Sequence, residues 1–96
     1  MADLIVINER DNVANAVADI SGGTTVVYSA PGGEAGVKAI SDIPFGFKMA
    51  IAKIPRGGPV VKYGEVIGEA SEDINAGELV HVHNVEGRRG RGDLNG

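Results

Sequence analysis

Apolar positions in this chain fall in short β-branched runs, interrupted every few residues by glycine, proline or a carboxylate. Six runs, residues 4–7, 24–29, 36–39, 48–53, 66–69 and 79–83, read as strands because Val, Ile and Thr suit a pleated, half-buried surface. Residues 11–20 follow a different rhythm. Val13, Val17 and Ile20 recur at helical spacing, alanines occupy positions 14, 16 and 18, and Asp11 or Asn12 can cap, which predicts one short helix.

The breaks between runs share a pattern. Ile-x-x-Gly, followed three residues later by an apolar residue, begins at Ile20, Ile43, Ile54 and Ile74, and Asp19, Asp42 and Asp73 precede three of the four. With Pro44 and Pro55 second and glycine fourth, these segments read as type I turns joining strands. Their irregular spacing excludes a solenoid and leaves repeated turn chemistry inside one β-domain. Pro31-Gly32-Gly33-Glu34 reads as a hairpin loop, and Gly57-Gly58-Pro59 as an irregular one. Beyond Asn84 the periodicity ends, so residues 1–87 are expected to form the domain and residues 88–96 an Arg/Gly-rich tail.

Composition narrows the function. Ninety-six residues with four aromatics and no tryptophan allow one thin aliphatic core, too little for most self-contained enzymes. A domain of this kind often gains stability by docking on a partner. The absence of cysteine excludes a disulfide framework, thiol catalysis and Cys-ligated metal. No apolar run approaches the roughly 20 residues of a membrane span, and no signal-like segment leads the chain, so a cytoplasmic location is expected. Residues 1–87 hold six Lys or Arg against twelve Asp or Glu, whereas the last nine residues carry Arg88, Arg89 and Arg91 against Asp93. An acidic body argues against nucleic acid as the partner, despite the likeness of Arg-Gly runs to RNA-binding tracts.

Three segments carry candidate chemistry. On a strand, His81 and His83 would share one face while Val82 turned inward, so the two imidazoles could converge on a divalent metal or a carboxylate. Two histidines do not complete a zinc-type site, and an exposed polar strand face would look the same. Lys62-Tyr63-Gly64-Glu65 offers acid–base groups, or equally a hairpin with a cross-strand Lys–Glu pair. Arg88, Arg89 and Arg91 suit bidentate capture of carboxylate or phosphate, or simple solvation.

Taken together, Asp11-Asn12-Val13-Ala14, Ile43-Pro44-Phe45-Gly46-Phe47-Lys48-Met49-Ala50, Val61-Lys62-Tyr63-Gly64-Glu65-Val66-Ile67-Gly68 and Gly77-Glu78-Leu79-Val80-His81-Val82-His83-Asn84 resemble the small subunit, or N-terminal domain, of the altronate/galactarate dehydratase family. The resemblance implies a mainly β, SAF-type β-clip domain that completes the active site of a larger catalytic subunit and is inactive alone. It implies a lyase, a hydro-lyase dehydrating a sugar acid, with a related small subunit serving a sulfolactate sulfo-lyase. It further implies a divalent metal, iron or manganese, held mainly by the larger subunit. Carried over by motif, His81, His83, Lys62 and Tyr63 take catalytic roles, with His81 and His83 also candidate metal ligands, and Asn84, Arg88, Arg89 and Arg91 bind substrate. The expected partners are the larger subunit and a small sugar acid, with neither nucleic acid nor membrane, and a homo-oligomer when isolated. The competing readings are a sugar-acid-binding or regulatory module without chemistry and, more remotely, an RNA-binding adaptor.

Overall fold

The four Ile-x-x-Gly segments organise the fold by pairing with one another. Ile20 and Ile43 exchange backbone hydrogen bonds of 2.9 and 2.8 Å, and Ile54 and Ile74 exchange two of 2.8 Å. The aspartates that precede three of the four isoleucines cap the opposite turns: Asp42 accepts from the Gly22 amide, Asp19 from Phe45 and Asp73 from Arg56, each at 2.8 Å. Each turn starts one residue later than its sequence suggests. The amides of Thr24, Phe47, Gly58 and Glu78 donate to the carbonyls of Ser21, Pro44, Pro55 and Asn75. Glycine is therefore third, with φ of 92°, 88°, 83° and 94° at Gly23, Gly46, Gly57 and Gly77. These are type II rather than type I turns, which need a left-handed third residue.

The computed structural model describes residues 3–87, so the expected tail lies outside the described residues. Among the described residues nine strands join these turns: β1 (Leu4–Ile5), β2 (Val13–Ala16), β3 (Thr25–Ala30), β4 (Gly33–Lys38), β5 (Lys48–Ala50), β6 (Pro59–Lys62), β7 (Glu65–Ala70), β8 (Leu79–Val80) and β9 (Val85–Glu86). They form a six-stranded sheet in the order β4-β3-β1-β2-β5-β8 and a three-stranded sheet in the order β6-β7-β9. The mainly β architecture that the resemblance implies is thus present. Among the described residues no helix is long and apolar enough to cross a membrane.

The expected short helix is absent from the described residues, and residues 13–16 are a strand. Tertiary burial overrides the alanine-rich pattern. In the β2–β5 ladder, Ala14 and Met49 are partners within one apolar cluster, while Val13 and Ala50 are partners within the other. A strand with a core on each face loses polar–apolar alternation, and small residues let both covers approach. Asp11 does not cap forward either, because its carboxylate accepts from Ile7 and Asn8 behind it. Asn12 instead clamps β6: its side chain donates to Pro59 at 2.8 Å and accepts from the Val61 amide at 2.7 Å.

Candidate functional site

The His81–Asn84 segment is a turn, which corrects the expectation that the strand runs to His83. β8 ends at Val80, and the Asn84 amide donates to the His81 carbonyl at 3.1 Å. The Asn84 side chain closes the turn by accepting from the His81 amide at 3.0 Å and donating to the Leu79 carbonyl at 2.8 Å. His81 and His83 therefore do not project from one strand face, and Val82 is 80% exposed rather than inward. Asn84 is 1% exposed, so it holds the loop and does not present itself to a ligand as expected. A buried amide with both ends bonded is the chemistry that replaces strand pairing here.

The turn forms one wall of an open cleft of about 210 Å³, lined by Lys48, Ile67, His81, Val82, Val85, Glu86 and Gly87. Cross-strand register puts Lys48 of β5 beside Val80, so the lysine comes to the same mouth as His81, the first residue of the turn after β8. The His81 ring lies 4.8 Å from that of Phe47, tilted by 56°, which fixes one edge of the imidazole. His83 does not line this cleft.

Lys48 is missing from the candidates that the sequence offers, yet it has the most informative electrostatics in the cleft. Burial, reinforced by the Lys62 charge nearby, holds its ammonium below the ordinary lysine range. A desolvated lysine beside a second cation favours an anion. A lone charge between Phe47 and Met49 in an otherwise apolar run was the available signal.

Lys62 and Tyr63 occupy the tip of the β6–β7 hairpin, where Lys62 and Glu65 are register partners, as the hairpin reading expected. Tyr63 and Gly64 have φ of 57° and 77°, the type I′ arrangement that a two-residue hairpin loop requires. A tyrosine in left-handed backbone is uncommon, and the Lys62 ammonium sits 4.8 Å from its ring centroid. Asp11 anchors the tip by accepting from the Gly64 amide at 2.7 Å, and the Arg10 guanidinium donates to the Gly64 carbonyl at 2.7 Å. Burial alone would raise the Asp11 pKa, but the amides of Gly64, Asn8, Tyr63 and Ile7 together hold it below its ordinary value. Sequence reasoning misses Asp11 and Arg10 as supports of the site. Arg88, Arg89 and Arg91 lie outside the described residues.

Comparison with known proteins places this geometry. The profile of the altronate/galactarate dehydratase SAF domain matches residues 2–88. The chain belongs to that family. An altronate dehydratase of Bacillus subtilis (strain 168) is 42% identical over 87 residues, which make up 90% of this chain and 16% of that protein. An altronate dehydratase of Escherichia coli (strain K12) is 42% identical over 81 residues, 84% of this chain and 16% of that protein. The (2R)-sulfolactate sulfo-lyase subunit alpha of Chromohalobacter salexigens is 45% identical over 47 residues, 49% of this chain and 50% of that protein. This SAF domain thus spans only a small part of the dehydratases it matches.

The expected metal-binding role of the histidines meets a geometric limit. Among the described residues no three or more His, Asp or Glu side chains come close enough together to hold a metal ion. Zinc-type sites take three or four protein ligands, so the described residues do not form such a site by themselves, and no metal-dependent step is assigned to them.

Proposed function

We propose that this SAF domain is the small component of a sugar-acid hydro-lyase and that its Lys48–His81 cleft holds the substrate carboxylate against a larger catalytic subunit. The observation that carries this reading is the half-buried Lys48, its ammonium destabilised by burial and by Lys62, opening beside His81 onto an apolar wall of Ile67, Val82 and Val85. Dehydration next to a carboxylate removes a proton from the adjacent carbon and breaks a carbon–oxygen bond one carbon further on, releasing water. Negative charge grows on the carboxylate as the proton leaves, so fixed cations there stabilise the transition state more than the ground state. Lys48 and His81 are suited to that clamp, with Lys62 adding to the field. The base and the metal would then belong to the larger subunit.

Separate-subunit organisation is supported by the sulfo-lyase relative: 47 matched residues make up half of it, so that alpha subunit is itself a chain of about this length. It also supports a second reading, elimination of sulfite from a sulfonated hydroxy acid. The same carboxylate clamp would serve, with a carbon–sulfur bond breaking in place of carbon–oxygen.

The test is co-expression with the larger dehydratase chain and assay of elimination from aldonates, aldarates and sulfolactate. Lys48→Met and His81→Ala should each lower kcat/KM by roughly 10–100-fold, the worth of one charge-assisted hydrogen bond, without loss of assembly. His83→Ala should stay within about twofold. Wild-type kcat/KM in both Lys48→Met and His81→Ala would remove the clamp, and ligand binding by an assembled but inactive pair would favour the binding-module reading.

A further inference from the structure

The edge of the six-stranded sheet at β4 is open and patterned for itself. β4 is the last strand of that sheet and pairs only with β3 among the described residues, over six residues of which all but Val37 are exposed. Other edges are short or covered. β8 and β9 have two residues each, and Asn12 occupies the edge of β6 with its backbone and side chain. A long uncovered edge is a template for another strand.

Register shows which groups that edge offers. The Ala39 amide donates to the Thr24 carbonyl at 2.8 Å, and antiparallel ladders alternate. Val37, Ala35 and Gly33 therefore bond inward to their partners Val26, Tyr28 and Ala30, leaving the backbone groups of Glu34 and Gly36 and the amide of Lys38 directed outward, while Gly77 lies against the Lys38 carbonyl. Gly36 is unexplained by the chain's own packing. It has no left-handed φ, and an added Cβ would meet only Val26 O at 3.7 Å and Thr25 Cγ2 at 3.9 Å, ordinary contacts.

We infer that β4 pairs antiparallel with β4 of a second copy about a two-fold axis through Gly36. In that register the two Gly36 residues form a hydrogen-bonded pair, and Glu34 lies opposite the partner's Lys38 on both sides of the axis. Opposite charges placed directly across a ladder stabilise it, and glycine at the axis lets the backbones meet without side-chain conflict. The ladder stops at Lys38, whose carbonyl is already covered by Gly77. Such an edge contact is small and gives a concentration-dependent dimer rather than an obligate one. No residue of β4 lines the Lys48–His81 cleft, so the dimer does not depend on the function proposed for it.

Sedimentation equilibrium of the whole chain tests this. The wild type should move with rising concentration from 9.9 kDa toward twice that mass. Glu34→Lys and Lys38→Glu should each raise the dimer dissociation constant roughly tenfold, since two attractive pairs become repulsive. Mixing the two variants should restore association, because each position 34 then again faces a position 38 of opposite charge across the axis. Gly36→Pro removes an outward N–H and should abolish the dimer while keeping the monomer's circular dichroism. A chain that stays monomeric throughout overturns the inference and returns Glu34 and Lys38 to guarding a solvent-exposed edge. So does a dimer indifferent to all three substitutions, or variants that fail to complement on mixing.

Discussion

Replacing Asp11 by asparagine isolates the carboxylate that ties the β6–β7 hairpin tip to the body of the domain. One of its oxygens accepts from the Ile7 and Asn8 amides at 3.3 and 3.1 Å, and the other from the Gly64 amide at 2.7 Å. Asparagine keeps one acceptor and turns an NH2 group toward N–H donors at the other, so at least one bond is lost and replaced by repulsion. Charge-assisted bonds contribute about 1.5–3 kcal/mol, and the low end applies where water can reach the orphaned amide, giving a cost near 1.5 kcal/mol. For a domain of this size that lowers Tm by roughly 6–12 °C. The folded carboxyl is held below its unfolded value, so its contribution is complete above the unfolded pKa of about 3.9 and is lost as pH falls through the folded pKa. The gap between wild type and Asp11→Asn in urea unfolding should therefore be widest near neutral pH and narrow below about pH 4. A neutral-pH gap under about 0.5 kcal/mol, or one that acidification leaves unchanged, would show that these bonds contribute nothing net.

Two further substitutions probe the turns. Gly77→Ala should cost more than about 3 kcal/mol in urea unfolding or prevent folding, because the residue has φ of 94° and its new Cβ would collide with the Lys38 carbonyl oxygen. Gly23→Ala, at φ of 92° with nothing within 4 Å, should cost only the backbone term of about 1 kcal/mol, and equal losses at both glycines would refute the steric argument. Lys53→Asp should stabilise by about 0.5–1 kcal/mol, since the other three turns place aspartate where Lys53 stands, and by their pattern its carboxylate would meet the Ala76 amide. An unchanged urea midpoint would break the analogy among the four turns.

The turn chemistry was legible in the sequence because it is local, and the pairing of the turns was not because it spans long separations. Ile-x-x-Gly marks each turn by composition, but Asp19 caps Phe45 and Asp42 caps Gly22 across 26 and 20 residues. Local reasoning assigned Pro44 and Gly46 to a type I turn one residue too early, whereas φ of 88° at Gly46 requires type II. The alanines at 14 and 16 suggested a helix because periodicity records one buried face, while β2 is covered on two. At the site, His-Val-His reads as strand alternation. What ends the strand is the Asn84 side chain, which bonds back to His81 and Leu79. Lys48 carries no motif, and only the ladder that sets it beside Val80 brings it to the His81 turn.

The arrangement of the two cores explains why the cleft lies where it does. β2, β5 and β8 carry Val13, Ala50 and Val80 on the face that the three-stranded sheet covers. Moving along the β2–β5 ladder from the Val13–Ala50 pair, the next pair on that face is Asn15–Lys48, and beyond it Ile5, the β1 partner of Asn15, is 46% exposed. The cover thus runs out between Val13 and Ile5, which leaves Lys48 half-buried at its margin. Desolvation of that lysine is a consequence of where the second sheet stops. At the same margin the Asn15 Oδ1 is buried and accepts no hydrogen bond from the described residues, a condition that costs about 1–3 kcal/mol in a closed interior. Register pairs Asn15 with Lys48, so the two polar residues of this face share the rung at which the cover ends.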